Sequence, residues 1–261
     1  MNLFVDERYD EHIERLALGL EPIDAGRGTR VAQPIRVFFE DRLRGLRRPP
    51  VERHSSCLHA LRYQEGVNGT AVLRFEEDYR RYVPRRIGYP IMTVAAADAL
   101  PWPNRARRPV LFPGAAYDLV SRATALRGRV LRGANLQRWA RVEARVNGQV
   151  VGRAHGDDRG EFLLLIDPAA SPVGDLTDPL TIRVDVFGPA VLPVPATADL
   201  PSLDPFWDLP LEQAAALNPA NPAADPVSSG EQLPAGYTAT TGNSVDFHLG
   251  EVRSAMQFTI P

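Results

Sequence analysis

At 261 residues the chain has room for about two domains of ordinary size, and its 44% hydrophobic and 24% charged residues exclude wholesale disorder. All 30 basic residues are arginine, and a net charge of −2 excludes the strongly basic balance of a nucleic-acid binder. The charge is unevenly divided: residues 1–190 carry 29 arginines against 24 acids, a net of +5, whereas residues 191–261 carry Arg253 against eight acids, a net of −7. Such a division directs the acidic tail onto its own basic body or onto a neighbour's.

In chain order, Tyr9, Ile13, Leu16 and Leu20 fall on one stripe of a 3.6-residue period, which predicts a short amphipathic helix. Such a helix is marginal alone and needs a surface to pack on. A linker containing Ala25-Gly26-Arg27-Gly28 closes this first segment, residues 1–30. From about residue 33 the period changes to two. Ile35, Val37 and Phe39 alternate with polar residues, as do Ala71, Leu73 and Phe75, and Leu58 to Tyr63 reads as a strand between them. Arg81 to Val94 reads as a broken strand, and Pro84 and Pro90 push it toward a sheet edge. Pro109 to Pro113 adds one further strand to this first domain, residues 31–113.

The second domain, residues 114–188, has the clearest pattern. Leu126, Gly128 and Val130 alternate with arginines, as do Ala140, Val142, Ala144 and Val146 with charged residues. Asn147-Gly148 is a hairpin signal leading into Gln149 to His155. A turn at Gly156 to Gly160 precedes the apolar strand Glu161 to Ile166, and Ile182, Val184 and Val186 alternate again. Short strands about ten residues apart, joined by tight turns, predict an antiparallel sandwich. The predicted fold is therefore mainly β: two antiparallel β-sandwich domains, a short N-terminal helix and an extended proline-rich C-terminal arm.

That arm, residues 189–261, holds 11 of the 24 prolines and is too poor in apolar residues to build a core of its own. It nevertheless contains Phe206, Trp207 and Leu209, which water penalises. These three residues either hold the arm on the second domain or dock on another subunit. Val245, Phe247 and Leu249 alternate, so a terminal strand returns to complete a sheet.

Motifs for chemistry are sparse. His12, His54, His59, His155 and His248 form no HxH, HExxH or His–Cys pair at metal-ligand spacing. His155-Gly156-Asp157-Asp158 is the one cluster of candidate ligands; it reads as a turn in which Gly160 takes positive φ and Asp158 bonds the local backbone, with a calcium or other metal site as the lesser alternative because the EF-hand ligand pattern is absent. Cys57 is the only cysteine, so no intrachain disulfide forms, and it is expected in a core. There is no GxSxG, no GxxxxGK[ST] and no GxGxxG opening a helix. No catalytic residue, cofactor site or metal site is assigned, and the expected class is non-enzymatic. The acidic start lacks a signal-like core and no apolar run nears the length of a membrane span, so the expected location is cytoplasmic, with neither membrane nor nucleic acid as a partner.

The run Leu126-Arg-Gly-Arg-Val-Leu-Arg, then Ala140-Arg-Val-Glu-Ala, then Asp157, Gly160 and Phe162 in a D-x-x-G-x-F arrangement, resembles the carboxypeptidase regulatory-like, or transthyretin-like, sandwich. The resemblance covers about residues 125–187 and implies a support and interaction module. The whole arrangement is similar to accessory proteins of phage-tail-like contractile injection systems. That likeness implies a structural or adaptor subunit near a cap or baseplate, binding other protein subunits through its N-terminal helix and C-terminal arm, by self-association or hetero-assembly. The alternative is a carbohydrate- or ligand-binding module, for which Trp139 and Trp102 would form an exposed aromatic platform.

Overall fold

The computed structural model describes residues 15–40, 47–56, 58–63, 67, 69–101, 105–166, 179–194, 204–216, 225–239 and 242–260, with the backbone alone for 47–50. The described chain is mainly β, arranged in several sheets.

The first half forms β1 (Leu16–Leu20), β2 (Ile23–Asp24), β3 (Arg36–Glu40), β4 (Arg47–Pro50), β5 (Glu52–Arg53), β6 (His59–Arg62), β7 (Thr70–Glu76), β8 (Arg85–Pro90), the short helix α1 (Val94–Asp98), β9 (Ala106–Arg107) and β10 (Val110–Leu111). One sheet runs β5-β6-β1-β9, another contains β4-β3-β7-β8, and β2 pairs with β10. The period-two pattern explains why they face each other. Val37 and Phe39 of β3, Leu73 and Phe75 of β7, and Ile87 and Tyr89 of β8 turn inward and share one core with Leu18 and Leu20 of β1.

Two expectations are corrected here. Leu16–Leu20 is a strand, not the end of a helix; Tyr9 and Ile13, the rest of the predicted stripe, lie outside the described residues. The sequence Leu-Ala-Leu-Gly-Leu satisfies either period, and burial on both faces decides it: Ala17, Leu18 and Leu20 are all buried between β6 and β9. The strand Arg85–Pro90 is not an edge either. Pro84 precedes it and Pro90 ends it, where no interior ladder N–H is lost, and its far side is covered by a strand from the C-terminal segment.

The second half forms β11 (Thr124–Arg132), β12 (Asn135–Leu136), β13 (Arg141–Val146), β14 (Gln149–His155), β15 (Glu161–Ile166) and β16 (Leu180–Pro189). Asn147 and Gly148 take φ of 50° and 81°, the left-handed pair that a tight hairpin requires, and they join β13 to β14 with Val146 opposite Gln149.

The C-terminal segment adds β17 (Leu211–Gln213), α2 (Pro226–Ser229), β18 (Tyr237–Ala239), β19 (Asn243–Phe247) and β20 (Val252–Ile260). The described part of the proline-rich region is thus no free arm. β17 pairs parallel with β8, β18 and β19 both pair with β16, and β20 runs parallel along β11. It lacks a core of its own, as its composition requires, because it inserts Ala214 and Val227 into the first core and Val245, Phe247, Phe258 and Ile260 into the second.

The halves are fused through β11 and β15. Leu126 and Leu164 face the second core, and their neighbours Ala125 and Leu163 point the opposite way into the first. A sheet buried on both faces leaves no solvent layer at this junction.

Candidate functional site

A cluster of buried charged residues lies where the C-terminal segment crosses both halves. Arg85 continues the inward-facing series Arg85, Ile87, Tyr89 of β8 and is fully buried. Its guanidinium meets the Glu212 carboxylate of β17 in a fork, with Nε to Oε1 at 3.1 Å and Nη2 to Oε2 at 2.7 Å. The remaining N–H groups donate to the carbonyls of Val110, Val227 and Ser228 at 2.6–2.9 Å. Arg141 of β13 reaches the same Glu212 at 3.3 Å and donates to the Trp139 carbonyl.

A second pair lies beside it. Arg107 of β9 donates to Asp225 Oδ2 at 2.8 Å, and Asp225 caps α2 by accepting from the Ser228 backbone N–H and hydroxyl. The Ser228 hydroxyl also meets the Tyr89 hydroxyl at 3.0 Å, and burial raises that phenol above its ordinary range. His155 stacks on Phe112 at 3.8 Å between ring centroids. It is 2% exposed, its Nδ1 has no hydrogen-bond partner among the described residues, and burial with Arg141 and Arg85 nearby holds its pKa well below the usual histidine value.

Four of the eight acids counted in the C-terminal tail pair with arginines of the same chain's body. Asp204 pairs with Arg74, Asp208 with Arg138, Glu212 with Arg85 and Arg141, and Asp225 with Arg107. Each acid lies in the C-terminal segment and each arginine in the body.

Phe206, Trp207 and Leu209 lie at the start of this clasp. Leu209 is buried with Val83 and Trp139, Phe206 packs edge-on to Trp139 with centroids 5.7 Å apart, and Trp207 is half-buried. Asp208 accepts from the Trp139 indole N–H at 2.8 Å. Trp139 is 2% exposed, so it forms no exposed platform; Trp102 lies outside the described residues, as does Cys57. In the His155-to-Gly160 cluster the turn forms with Gly160 at φ 68°. Asp157, not Asp158, holds it, accepting the N–H groups of Arg159 and Glu161 at 2.8 and 2.9 Å, while Asp158 pairs with Arg80. Asp157 bonds the backbone because it is the residue on the buried side of the turn. Among the described residues, no three His, Cys, Asp or Glu side chains come together to hold a metal ion.

A different feature lies on the outer face of the β14-β13-β16 sheet. An open depression of about 580 Å³ is lined by Arg145, Asn147, Thr181, Arg183, Phe187 and Ser244, with Asp185 between the two arginines. Sequence reasoning passed over it because its residues belong to four strands and a turn. The outward parity of Arg145, Arg183 and Asp185 was the available signal.

No family model matches the chain, and no curated protein matches it. Among solved structures it has slight likeness to a 9R-lipoxygenase from Cyanothece PCC8801, at 14% identity over 55% of this chain and 17% of that one, with a TM-score of 0.28. It has similarly slight likeness to the Bacillus anthracis TIE protein, at 9% identity over 94% of this chain and 33% of that one, with a TM-score of 0.24. The chain spans a third or less of each of these proteins, and TM-scores this low carry no inference about fold or function. Among the described residues no helix is long and apolar enough to cross a membrane.

Proposed function

We propose that this protein is a non-enzymatic structural or adaptor subunit, built from two β-sandwich units held as one rigid body and acting by binding other protein subunits. The observation that carries the reading is the clasp. A C-terminal segment tied by Glu212 and Asp225 to Arg85, Arg141 and Arg107 spans both halves and fixes their relative position. Buried ion pairs contribute less to stability than well-packed apolar groups, and their directional geometry suits a part whose shape must be held. The second unit is proposed to be a carboxypeptidase regulatory-like module, on the strength of its Asp157–Gly160 turn leading into Phe162. The assembly it serves is proposed to be a contractile injection system, with the chain at a cap or baseplate.

The test is density-gradient sedimentation of the tagged full-length protein from its native host, read by mass spectrometry of the particle fractions. Migration with sheath and baseplate subunits is expected. A protein found only in the light fractions, monomeric by light scattering, overturns the reading.

A further inference from the structure

The depression on the outer sheet face has an electrostatic layout suited to an anion. Glu143 and Asp185 lie beneath the surface, with side chains 9% and 7% exposed, whereas Arg153, Arg145 and Arg183 above them are 30%, 34% and 62% exposed. An arriving ligand therefore meets guanidiniums at the centre of the depression, with the exposed Asp246 carboxylate at its rim beside Thr181, and the buried carboxylates act from below to set the orientation of the arginines.

The two arginines lining the depression differ. Both are bound through Nε to the Asp185 carboxylate, Arg145 at 3.3 Å and Arg183 at 2.8 Å. Arg145 is then held at all three nitrogens, since its Nη1 donates to the Gly148 carbonyl and its Nη2 to Glu143. Arg183 makes no further hydrogen bond to a described residue, so its two terminal nitrogens remain as a fork whose orientation Asp185 fixes. A planar fork held at its stem matches a carboxylate bidentately and loses little freedom on binding.

The rest of the lining adds a half-exposed aromatic ring, Phe187, and short polar groups, Asn147, Thr181 and Ser244. The Thr181 hydroxyl donates to Asp246 at 2.7 Å, which leaves its oxygen to accept from a ligand hydroxyl. The depression is open, whereas sites for small molecules enclose most of the ligand. A segment of a longer polar chain fits such a surface.

We propose that this depression binds the uronate residues of an acidic polysaccharide, with the sugar carboxylate on the Arg183 fork, a sugar face on Phe187, and ring hydroxyls on Asn147, Thr181 and Ser244. This does not depend on the adaptor reading.

The test is isothermal titration calorimetry of the full-length protein with an oligogalacturonate, set against its methyl-esterified, neutral counterpart. The acid form is expected to bind at least about tenfold more tightly than the ester, with a similar loss in Arg183→Gln and a smaller one in Phe187→Ala. Arg183 is largely exposed, so the variant should keep the wild-type circular dichroism and melting temperature. Should it not fold, the ester comparison on the wild-type protein decides alone. No binding at millimolar ligand, equal binding of acid and ester, or unchanged affinity in a folded Arg183→Gln overturns the proposal. So does equally tight binding of a tetraglutamate peptide, which would make the surface a site for acidic protein segments.

Discussion

Arg85 and Glu212, separated by 127 positions in the chain, meet in a fully buried fork that ties the C-terminal segment to β8 of the β4-β3-β7-β8 sheet. Removing the charge of one partner leaves the other uncompensated where no water reaches it. Glu212→Gln is therefore expected to destabilise the protein by about 3 kcal/mol or more. Arg141, which shares Glu212, loses its partner in the same variant. Urea unfolding curves measure the effect. An Arg85→Met, Glu212→Leu double variant should be less destabilised than Glu212→Gln, because it leaves only Arg141 unpaired where the single variant leaves both buried arginines without their carboxylate.

The pH dependence follows from the buried histidines. Burial, together with Arg141 and Arg85, depresses His155, and burial depresses His59. As pH falls below about 6.5 the unfolded chain takes up protons that the folded chain refuses, so stability is full above that value and is lost on acidification. Asp157 works in the opposite sense. Burial raises it, so its folded form keeps a proton after the unfolded form has lost one, and it favours the folded state at the acidic end. Urea midpoints between pH 8 and pH 5 should therefore decline in the wild type and decline less in His155→Phe. Identical slopes in the two proteins would rule out His155 as a source.

The turn before β15 has its own requirement. Gly160 sits at φ 68°, and a Cβ there would lie 2.9 Å from the Val130 carbonyl oxygen and 3.0 Å from that of Gln137. Both obstacles are backbone, so neither can swing away. Gly160→Ala is expected to cost about 2 kcal/mol, from the left-handed conformation and the contact together. Asp158→Ala, which removes only an exposed pairing with Arg80, should stay within about 0.5 kcal/mol. A melting temperature in which the two variants fall equally would contradict this division.

What was legible in the sequence is what alternation alone specifies. β3, β7, β11, β13 and β16 each carry an inward series of apolar residues at period two, and the Asn147-Gly148 hairpin announces itself by residue type. β1 was misread because Leu16 to Leu20 fits both periods and only its neighbours β6 and β9 decide between them. β17 and β20 were hidden for another reason. Each pairs parallel with a strand more than a hundred residues earlier, so no local turn marks the partner. The clasp was half legible: the net charges of body and tail gave its polarity. Arg85 could have been placed inward by its parity with Ile87 and Tyr89, but its partner is fixed only by the fold.

The residues that the sequence marked as contacts separate into two roles. Leu209 is 2% exposed and shares a small cluster with Val83 and Trp139, whose indole N–H bonds Asp208 one residue away. Truncating it opens a cavity that three residues cannot readily fill, so Leu209→Ala should destabilise by about 2–3 kcal/mol. Trp207 is half-buried two residues earlier, and its removal should cost less than about 1 kcal/mol. If the clasp presents a contact surface, Trp207→Ala weakens assembly while leaving the melting temperature near that of wild type. Leu209→Ala would instead lower both together, since it loosens the segment that displays Trp207. Differential scanning fluorimetry alongside light scattering of the full-length protein separates these outcomes. A Trp207→Ala variant with wild-type assembly and wild-type stability would remove this residue from the contact surface and leave Leu209 as an internal fastening.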